Sequence, residues 1–480
     1  MAERLVVPLK PGNAGGGKGP QFKANVKSGG QPRRLVMSLK PPSNNRVGKL
    51  QEALRAKAKS APTYRFYQLY DKVYRGDVLA EAYARCRANR GKAGVDGQDF
   101  ADIEADGGVG AWLARLSEDL RKKTYQPQPV RRVWIPKGDG KKRPLGIPTI
   151  RDRVVQMAAV LVLEPIFETD LQPEQYAYRP ERGALDAVRA VHSLVSQGYT
   201  EVVDADLSGY FDSIPHQELL KSVARRVSDG VMLALIKSWL EMPVEETDER
   251  GGKRRTTSNR DEGRGTPQGA VISPLLANVY MRRLVLGWQK LGHGRQLDAH
   301  LVNYADDFVI CCRGTGVEAM AAMRDMMAKL KLTVNETKTR LCRLPEETFD
   351  FLGYTIGRCY SPTTGRAYYG TRPSDKKVRK MADEISRRTE RRFTWREPGE
   401  VVGLLNQKIA GWANYFCLGP VSKAYDLVNR HVCQRLRWWL CRKYREDSSG
   451  LARFSDSYLR EEMGLIDLRS HRHGYLCANA

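Results

Sequence analysis

Residues 300 to 312, HLVNYADDFVICC, set two adjacent carboxylates, Asp306 and Asp307, between two short apolar, β-prone segments. No other stretch constrains the fold as tightly. Leu301 and Val302 on one side, and Phe308, Val309 and Ile310 on the other, read as strands, and a tight connection between them lifts the acids to the tip of a hairpin. A polar turn is the plain reading, because Asp is a common turn residue. The chemical reading needs a further acid from a separate strand, and EVVDADLSGYFDSI offers one, an apolar strand ending in Asp206 with Leu207 to Tyr210 directly after it. If that strand lies beside the hairpin, Asp206 and Asp306 can share two divalent ions ~3.5 to 4 Å apart, as phosphoryl transfer to a polymerising hydroxyl requires. Mg2+ favours such an oxygen-rich, partly hydrated site. Asp204 points to the same strand face as Asp206 but farther down, and Asp212 lies past the turn, so both are weaker candidates.

The charge distribution indicates a partner. The 480 residues carry a net charge of +25. Residues 1–60 hold 13 basic and 2 acidic side chains, residues 121–150 hold 9 and 1, and residues 371–450 hold 18 and 9, so the remainder is slightly acidic. Localised basic surfaces suit a polyanion, whose neutralised phosphates release counterions. Each block alone also fits a solvated face; the three together favour nucleic acid. At 41% hydrophobic content the chain buries a sizeable core, in several domains. No apolar run approaches the ~20 residues that span a bilayer, and MAERLVVPLKPGNAGGGKGP lacks a secretory core, so an intracellular protein without membrane contact is expected. Nine Cys without a CxxC pair read as reduced, buried thiols.

Along the chain, residues 1–45 read as a flexible basic arm and order begins near Val47. Apolar residues at helical spacing predict two or three helices to Gly91 and another within 97–124. VRRVWIPKGDGKKRPLGIPTI reads as a hairpin with Lys and Arg near its tip. Helices are predicted over 150–168, 184–197, 216–225, 229–241 and 316–330. Residues 245–268 read as a hairpin or loop, short strands as TRLCRL and FDFLGYTIG, and the region from 373 to about 446 as helical. The tail from 447 is too short for an independent domain.

Read in order, IPKGDGKKRPLGIPTIRDRVVQ, DADLSGYFDSI, GTPQGAVISPLLANVY, NYADDFVI, LTVNETKT and FDFLGYTI resemble the consecutive blocks of a reverse transcriptase of the type encoded by bacterial group II introns. RANRGKAGVDG is similar to that family's N-terminal extension, and LNQKIAGWANYF resembles the start of its thumb, the maturase domain. The resemblance runs from about residue 50 to 445. It implies an α+β right-hand polymerase: N-terminal extension and start of fingers over 46–125, fingers and palm over 126–370, an α-helical thumb/maturase domain over 371–446, and a tail over 447–480 with at most a rudimentary DNA-binding region.

Site roles also follow from the resemblance. Asp206 and Asp306 would be the principal ligands of two Mg2+ ions, which Mn2+ could replace, with Asp307 and Leu207 beside them. Ser208, Gly209 and Tyr210 would meet the triphosphate of a dNTP, and Phe211 would stack under its sugar and exclude a 2′-hydroxyl, unless it is a core Phe. Lys137 and Arg143 would hold triphosphate charge, though solvated turn residues would look alike. Gln268 would touch nucleotide and template where Gly269 allows close approach, and Lys338 would lie near the leaving pyrophosphate. Arg90, Lys92, Arg179, Arg435, Arg437, Arg442 and Lys443 are the candidate RNA contacts. Trp412, Tyr415 and Phe416, and likewise Trp438 and Trp439, read as thumb core rather than a stacking platform. His471, His473 and Cys477 lack a partnered Cys pair, so neither a metal site nor the endonuclease domain of many relatives is expected. The implied partners are group II intron RNA, an RNA template/DNA primer duplex and target DNA, in the bacterial cytoplasm. Two roles follow: an intron's splicing and mobility protein, or a free-standing relative serving defence, repair or sequence diversification.

Overall fold

Alternating β-prone runs bounded by turn residues become strands in the computed structural model, which describes residues 46–136, 142–248, 252–446 and 450–470. The expected basic arm over 1–45, Lys137, and His471, His473 and Cys477 lie outside the described residues. The strands are β1 (Val130–Pro136), β2 (Lys142–Ile147), β3 (Glu201–Asp206), β4 (Val244–Thr247), β5 (Lys253–Thr256), β6 (Ala299–Tyr304), β7 (Asp307–Cys312), β8 (Arg340–Arg343), β9 (Phe349–Phe351), β10 (Tyr354–Tyr360) and β11 (Ala367–Pro373). They form three sheets, ordered β2-β1-β4-β5, β11-β10-β9 and β6-β7-β3-β8. No described helix is long and apolar enough to cross a membrane.

Two compact units share the chain discontinuously. The first comprises the residues up to Arg182 with Asp206–Leu291 and Arg324–Asn335; the second comprises Gly183–Ala205, Gly292–Met323 and the residues from Glu336.

In the first unit the helix Ile150–Phe167 is apolar on nearly every face, which buries it centrally. Thr149 caps it, its hydroxyl accepting from the Asp152 amide at 3.1 Å. The helices Arg46–Ser60 and Gly76–Ala88 pack on it. The stretch predicted as one helix within 97–124 is two, Phe100–Ala105 and Gly108–Arg121. Gly107 and Gly108, at φ +69° and +82°, break the spiral with backbone that other residues rarely adopt. The β1–β2 hairpin is antiparallel, and β4, hairpinned to β5, joins β1 in parallel. The polar 245–268 stretch thus supplies a sheet edge.

In the second unit, the helix Ala184–Ser196 packs on β6 and β7. The hairpin β10–β11 was not legible beforehand; β11, AYYGTRP, lacks a clean apolar alternation. Three helices follow, Asp375–Arg388, Pro398–Tyr415 and Ser422–Tyr444, packed on one another. Trp412 and Phe416 are buried with ring centroids 5.0 Å apart, and Tyr415 donates to the Leu352 carbonyl at 2.8 Å, so this trio serves the core as expected. Trp438 and Trp439 part company: Trp439 is buried, whereas Trp438 is 41% exposed. The tail packs back on these helices through buried Phe454, Leu459 and Leu468, and Asn429 donates to Asp467 at 2.6 Å.

Candidate active site

The register of β6 and β7 runs from Ala299 opposite Cys312 to Tyr304 opposite Asp307, leaving Ala305 and Asp306 as the connection. Tight two-residue connections need positive φ, and Ala305 takes +57°. A non-glycine residue in that region marks a backbone that its surroundings hold in place. Buried Asn303 does part of the holding, donating to the Ala305 carbonyl at 2.8 Å. Apolar side chains anchor both strands, so Asp306 and Asp307 stand half-buried at the tip.

β3 lies between β7 and β8. Its first residue, Glu201, accepts from the Gly316 amide at 2.7 Å, and its carboxylate adds to burial in pushing the Cys312 thiol up to about 12. β3 therefore begins where β7 ends, and the two strands run in opposite directions. Asp204 pairs with Arg340 of β8, 3.6 Å away.

In the first unit, Asp206 is held by a residue that the sequence did not single out. Asn335 donates through Nδ2 to Asp206 Oδ2 at 3.0 Å and through its backbone amide to the Asp206 carbonyl at 2.9 Å. Leu207 bridges to Val334, and the Ser208 amide donates to the Thr333 carbonyl at 2.9 Å, so that amide is engaged within the chain. Gly209, at φ +54°, turns the backbone into the short helix Tyr210–Ser213. Tyr210 is buried and donates to the Ala277 carbonyl at 2.7 Å; Phe211 is 8% exposed.

Asp212, a weak candidate from sequence, accepts from Gln268 Nε2 at 2.6 Å. The Gln268 carbonyl accepts from the Gly146 amide of β2 at 2.6 Å. A Cβ on Gly269 would come 2.4 Å from the Gly146 carbonyl oxygen, and φ there is +104°, so only glycine fits this clasp. Arg143 stands on β2 opposite Ile135 in the register. In the second unit, Lys338 is exposed in the turn before β8. Asn335 carries no local pattern distinguishing it from a loop Asn, and the Asp212–Gln268 bond spans 56 positions.

The candidate RNA contacts divide by what already engages them. Arg90, Lys92 and Arg442 are exposed. Arg179 is 6% exposed, pairs with Glu168 at 2.7 Å and donates to the Gln172 and Gln175 carbonyls. Arg435 donates to Thr389 and to the Ser386 carbonyl, and Arg437 binds the Phe454 carbonyl and Asp456. Lys443 clamps the Thr394 and Arg396 carbonyls at 3.2 and 2.9 Å. These four have structural duties.

Among the described residues no three His, Cys, Asp or Glu side chains form a ready cage for an ion. Mg2+ rarely asks for one, since it is bound by one or two carboxylates together with waters and substrate phosphates. The hard oxygen donors of Asp206, Asp306 and Asp307 are of the right chemistry.

Residues 135–356 match the family model described as reverse transcriptase (RNA-dependent DNA polymerase), and residues 378–457 match that of the group II intron maturase-specific domain. Protein YkfC of Escherichia coli (strain K12) is 33% identical over 367 residues, which is 69% of this chain and 93% of YkfC. The group II intron-encoded protein LtrA of Lactococcus lactis subsp. cremoris is 34% identical over 220 residues, 46% of this chain and 35% of LtrA. Nuclear intron maturase 2, mitochondrial, of Arabidopsis thaliana is 33% identical over 110 residues, 23% of this chain and 15% of that one.

Proposed function

This chain belongs to the group II intron-type family of reverse transcriptases and maturases, RNA-directed DNA polymerases of right-hand fold, and on that footing we propose that it binds a group II intron RNA, assists its splicing and copies it into DNA. The observation that carries this reading is the succession, on one chain, of a polymerase region and a maturase-specific region. A polymerase working on arbitrary templates has no evident use for the second.

In this reading Asp206, Asp306 and Asp307 hold the divalent ions. The support is topological. Within the second unit, β3 up to Ala205 lies beside β7 and runs in the opposite direction, and Asp206 is the next residue along β3. Bound there, two divalent ions would supply Lewis acidity for the primer hydroxyl and charge neutralisation for the leaving pyrophosphate. The chain's own part is to position: Asn335 orients Asp206, the Gly146–Gln268 clasp presents Gln268 to the nucleotide, and Phe211 bears on the sugar and disfavours a 2′-hydroxyl. Retrohoming into target DNA, with a template/primer duplex in the cleft, belongs to the same proposal.

A second reading is favoured by one observation. The similarity spans 93% of Protein YkfC but 35% of LtrA, and the former's name mentions no intron. In that reading the polymerase acts without an intron, in defence, repair or sequence diversification. Purifying the protein from its host in mild salt and sequencing the RNA that accompanies it separates the two. A single structured RNA containing this reading frame supports the intron role. Heterogeneous RNA, or a short unrelated transcript, overturns it in favour of the second.

A further inference from the structure

Within the first unit, a cavity of about 320 Å³ lies between the end of the helix Ile150–Phe167, the helix His216–Ala224 and the helix Ser273–Lys290. It shares no lining residue with the candidate active site. One wall is apolar, made by Phe167 and Val279; the rest is charged apart from Ser222. Lys221, Arg225, Arg282 and Arg283 face two carboxylates, Asp170 and Glu218.

Both carboxylates are already matched. Glu218 has Arg283 at 3.2 Å, Lys221 at 3.3 Å and Lys331 at 3.7 Å around it. Asp170 has Arg226 at 3.4 Å, and its backbone carbonyl accepts from Arg282 Nε at 2.6 Å. Six cationic side chains thus surround two anionic ones. The surplus falls on Arg225 and Arg282. The Arg225 guanidinium is exposed and enters no hydrogen bond or ion pair among the described residues, and Arg282 uses only Nε. Burial, and then the like charges of Arg225 and Arg226 against the pull of Asp170, hold the Arg282 guanidinium below its ordinary value. Like charges gathered in a partly desolvated pocket repel one another, and an anion between them removes the repulsion.

We propose that this cavity is a phosphate-binding site, separate from the polymerase centre, in which Arg225 and the free face of Arg282 grip one phosphoryl group while Phe167 and Val279 line the side where its organic portion lies. Guanidinium groups suit that ligand because their planar donors meet phosphate oxygens in pairs. The volume falls at the lower end for small-ligand pockets, enough for one phosphoryl group and its immediate substituent. The phosphate comes either from the backbone of a bound RNA or from a small molecule such as pyrophosphate or a nucleotide.

The test uses the full chain in EDTA, so that binding dependent on divalent ions is silent. Two probes are titrated: a short fluorescein-labelled single-stranded RNA followed by anisotropy, and inorganic pyrophosphate followed by calorimetry. Arg225→Glu is expected to weaken one of them about tenfold and Arg225→Ala less, with Arg225→Lys, which keeps the charge but not the paired donors, between Ala and the wild type. Loss of RNA affinity alone, with the salt slope reduced by about 1, identifies a backbone phosphate. Loss of pyrophosphate affinity identifies the small-molecule source. Unchanged affinity for both probes in Arg225→Glu overturns the proposal, as does a loss in Arg225→Glu no larger than that in Arg225→Ala.

Discussion

Asn335 grips Asp206 twice, through its side-chain amide to Oδ2 at 3.0 Å and through its backbone amide to the Asp206 carbonyl at 2.9 Å. A carboxylate gripped by a neighbouring amide is held in one orientation, and groups that orient a metal ligand are commonly worth 10- to 100-fold in affinity or activity. Asn335→Ala should therefore lower RNA-templated primer extension by about 10- to 100-fold and raise the Mg2+ concentration needed for half-maximal rate, with RNA affinity unchanged. Asn335→Asp should be worse, because it sets a like charge beside Asp206. Extension at the wild-type rate and Mg2+ requirement in Asn335→Ala would show that the grip has no catalytic consequence.

Asp306 stands at the tip of the β6–β7 hairpin, its strands anchored by buried apolar residues. If Asp306 is a metal ligand as proposed, removing its carboxylate takes that ligand away without disturbing the core. Asp306→Ala should abolish extension on an RNA template while RNA binding stays within a factor of about two, since backbone phosphate contacts dominate that affinity. Persistent synthesis in this variant would sink the metal assignment.

Phe211 is 8% exposed, in the short helix after Gly209, and its carbonyl accepts from the Thr266 amide at 2.7 Å, which fixes the backbone that carries the ring. If the ring is what a 2′-hydroxyl would strike, Phe211→Val opens that space. Ribonucleotide incorporation relative to deoxynucleotide incorporation should rise by roughly 10- to 100-fold, the scale on which apolar pockets discriminate by size. An unchanged ratio would reduce Phe211 to a core residue.

Arg179 shows how a basic residue misleads. Its side chain is 6% exposed, paired with Glu168 and bonded to two carbonyls. Arg179→Ala leaves the part-buried Glu168 without its partner and the Gln172 and Gln175 carbonyls without their donor, which costs roughly 1 to 3 kcal/mol. The expected result is a lower urea midpoint with no change in the salt dependence of RNA binding. A reduced salt slope with an unchanged midpoint would restore Arg179 to the RNA surface.

The residues that declared themselves in the sequence did so through local pattern. The HLVNYADDFVICC hairpin is written in apolar flanks around two acids, and β3 in the EVVDAD alternation. Asn335 and the Asp212–Gln268 bond were not legible, because they join segments 129 and 56 positions apart and no periodicity encodes such a meeting. Charge alone also failed to separate Arg442, exposed at the surface, from Lys443 beside it, which clamps two carbonyls. Side-chain direction on a helix decides that, and direction depends on what the helix packs against. The paired helices Phe100–Ala105 and Gly108–Arg121 merged in the sequence reading because two adjacent glycines look like a tolerated weakness until their positive φ is seen.

The thiols give a pH dependence with a definite sign. Burial pushes the Cys86 thiol up to about 12, and burial with Glu201 beside it does the same to Cys312. In the unfolded chain such thiols ionise near 9. Below that pH both states hold the proton and the thiols leave stability unchanged. Between about 9 and 12 the unfolded chain releases protons that the folded chain retains, so each such thiol lowers stability by up to about 1.4 kcal/mol per pH unit. Cys312→Ala removes one of these contributions along with a little packing. Urea midpoints should therefore fall more steeply from pH 8 to pH 10.5 in the wild type than in Cys312→Ala, even though the variant starts lower at pH 8. Parallel declines would mean that the Cys312 thiol ionises as readily in the folded chain as in the unfolded one. At pH 8, a thiol-specific disulfide reagent should leave Cys86 and Cys312 unmodified until denaturant is added, because both are buried and the thiolate is the reacting form.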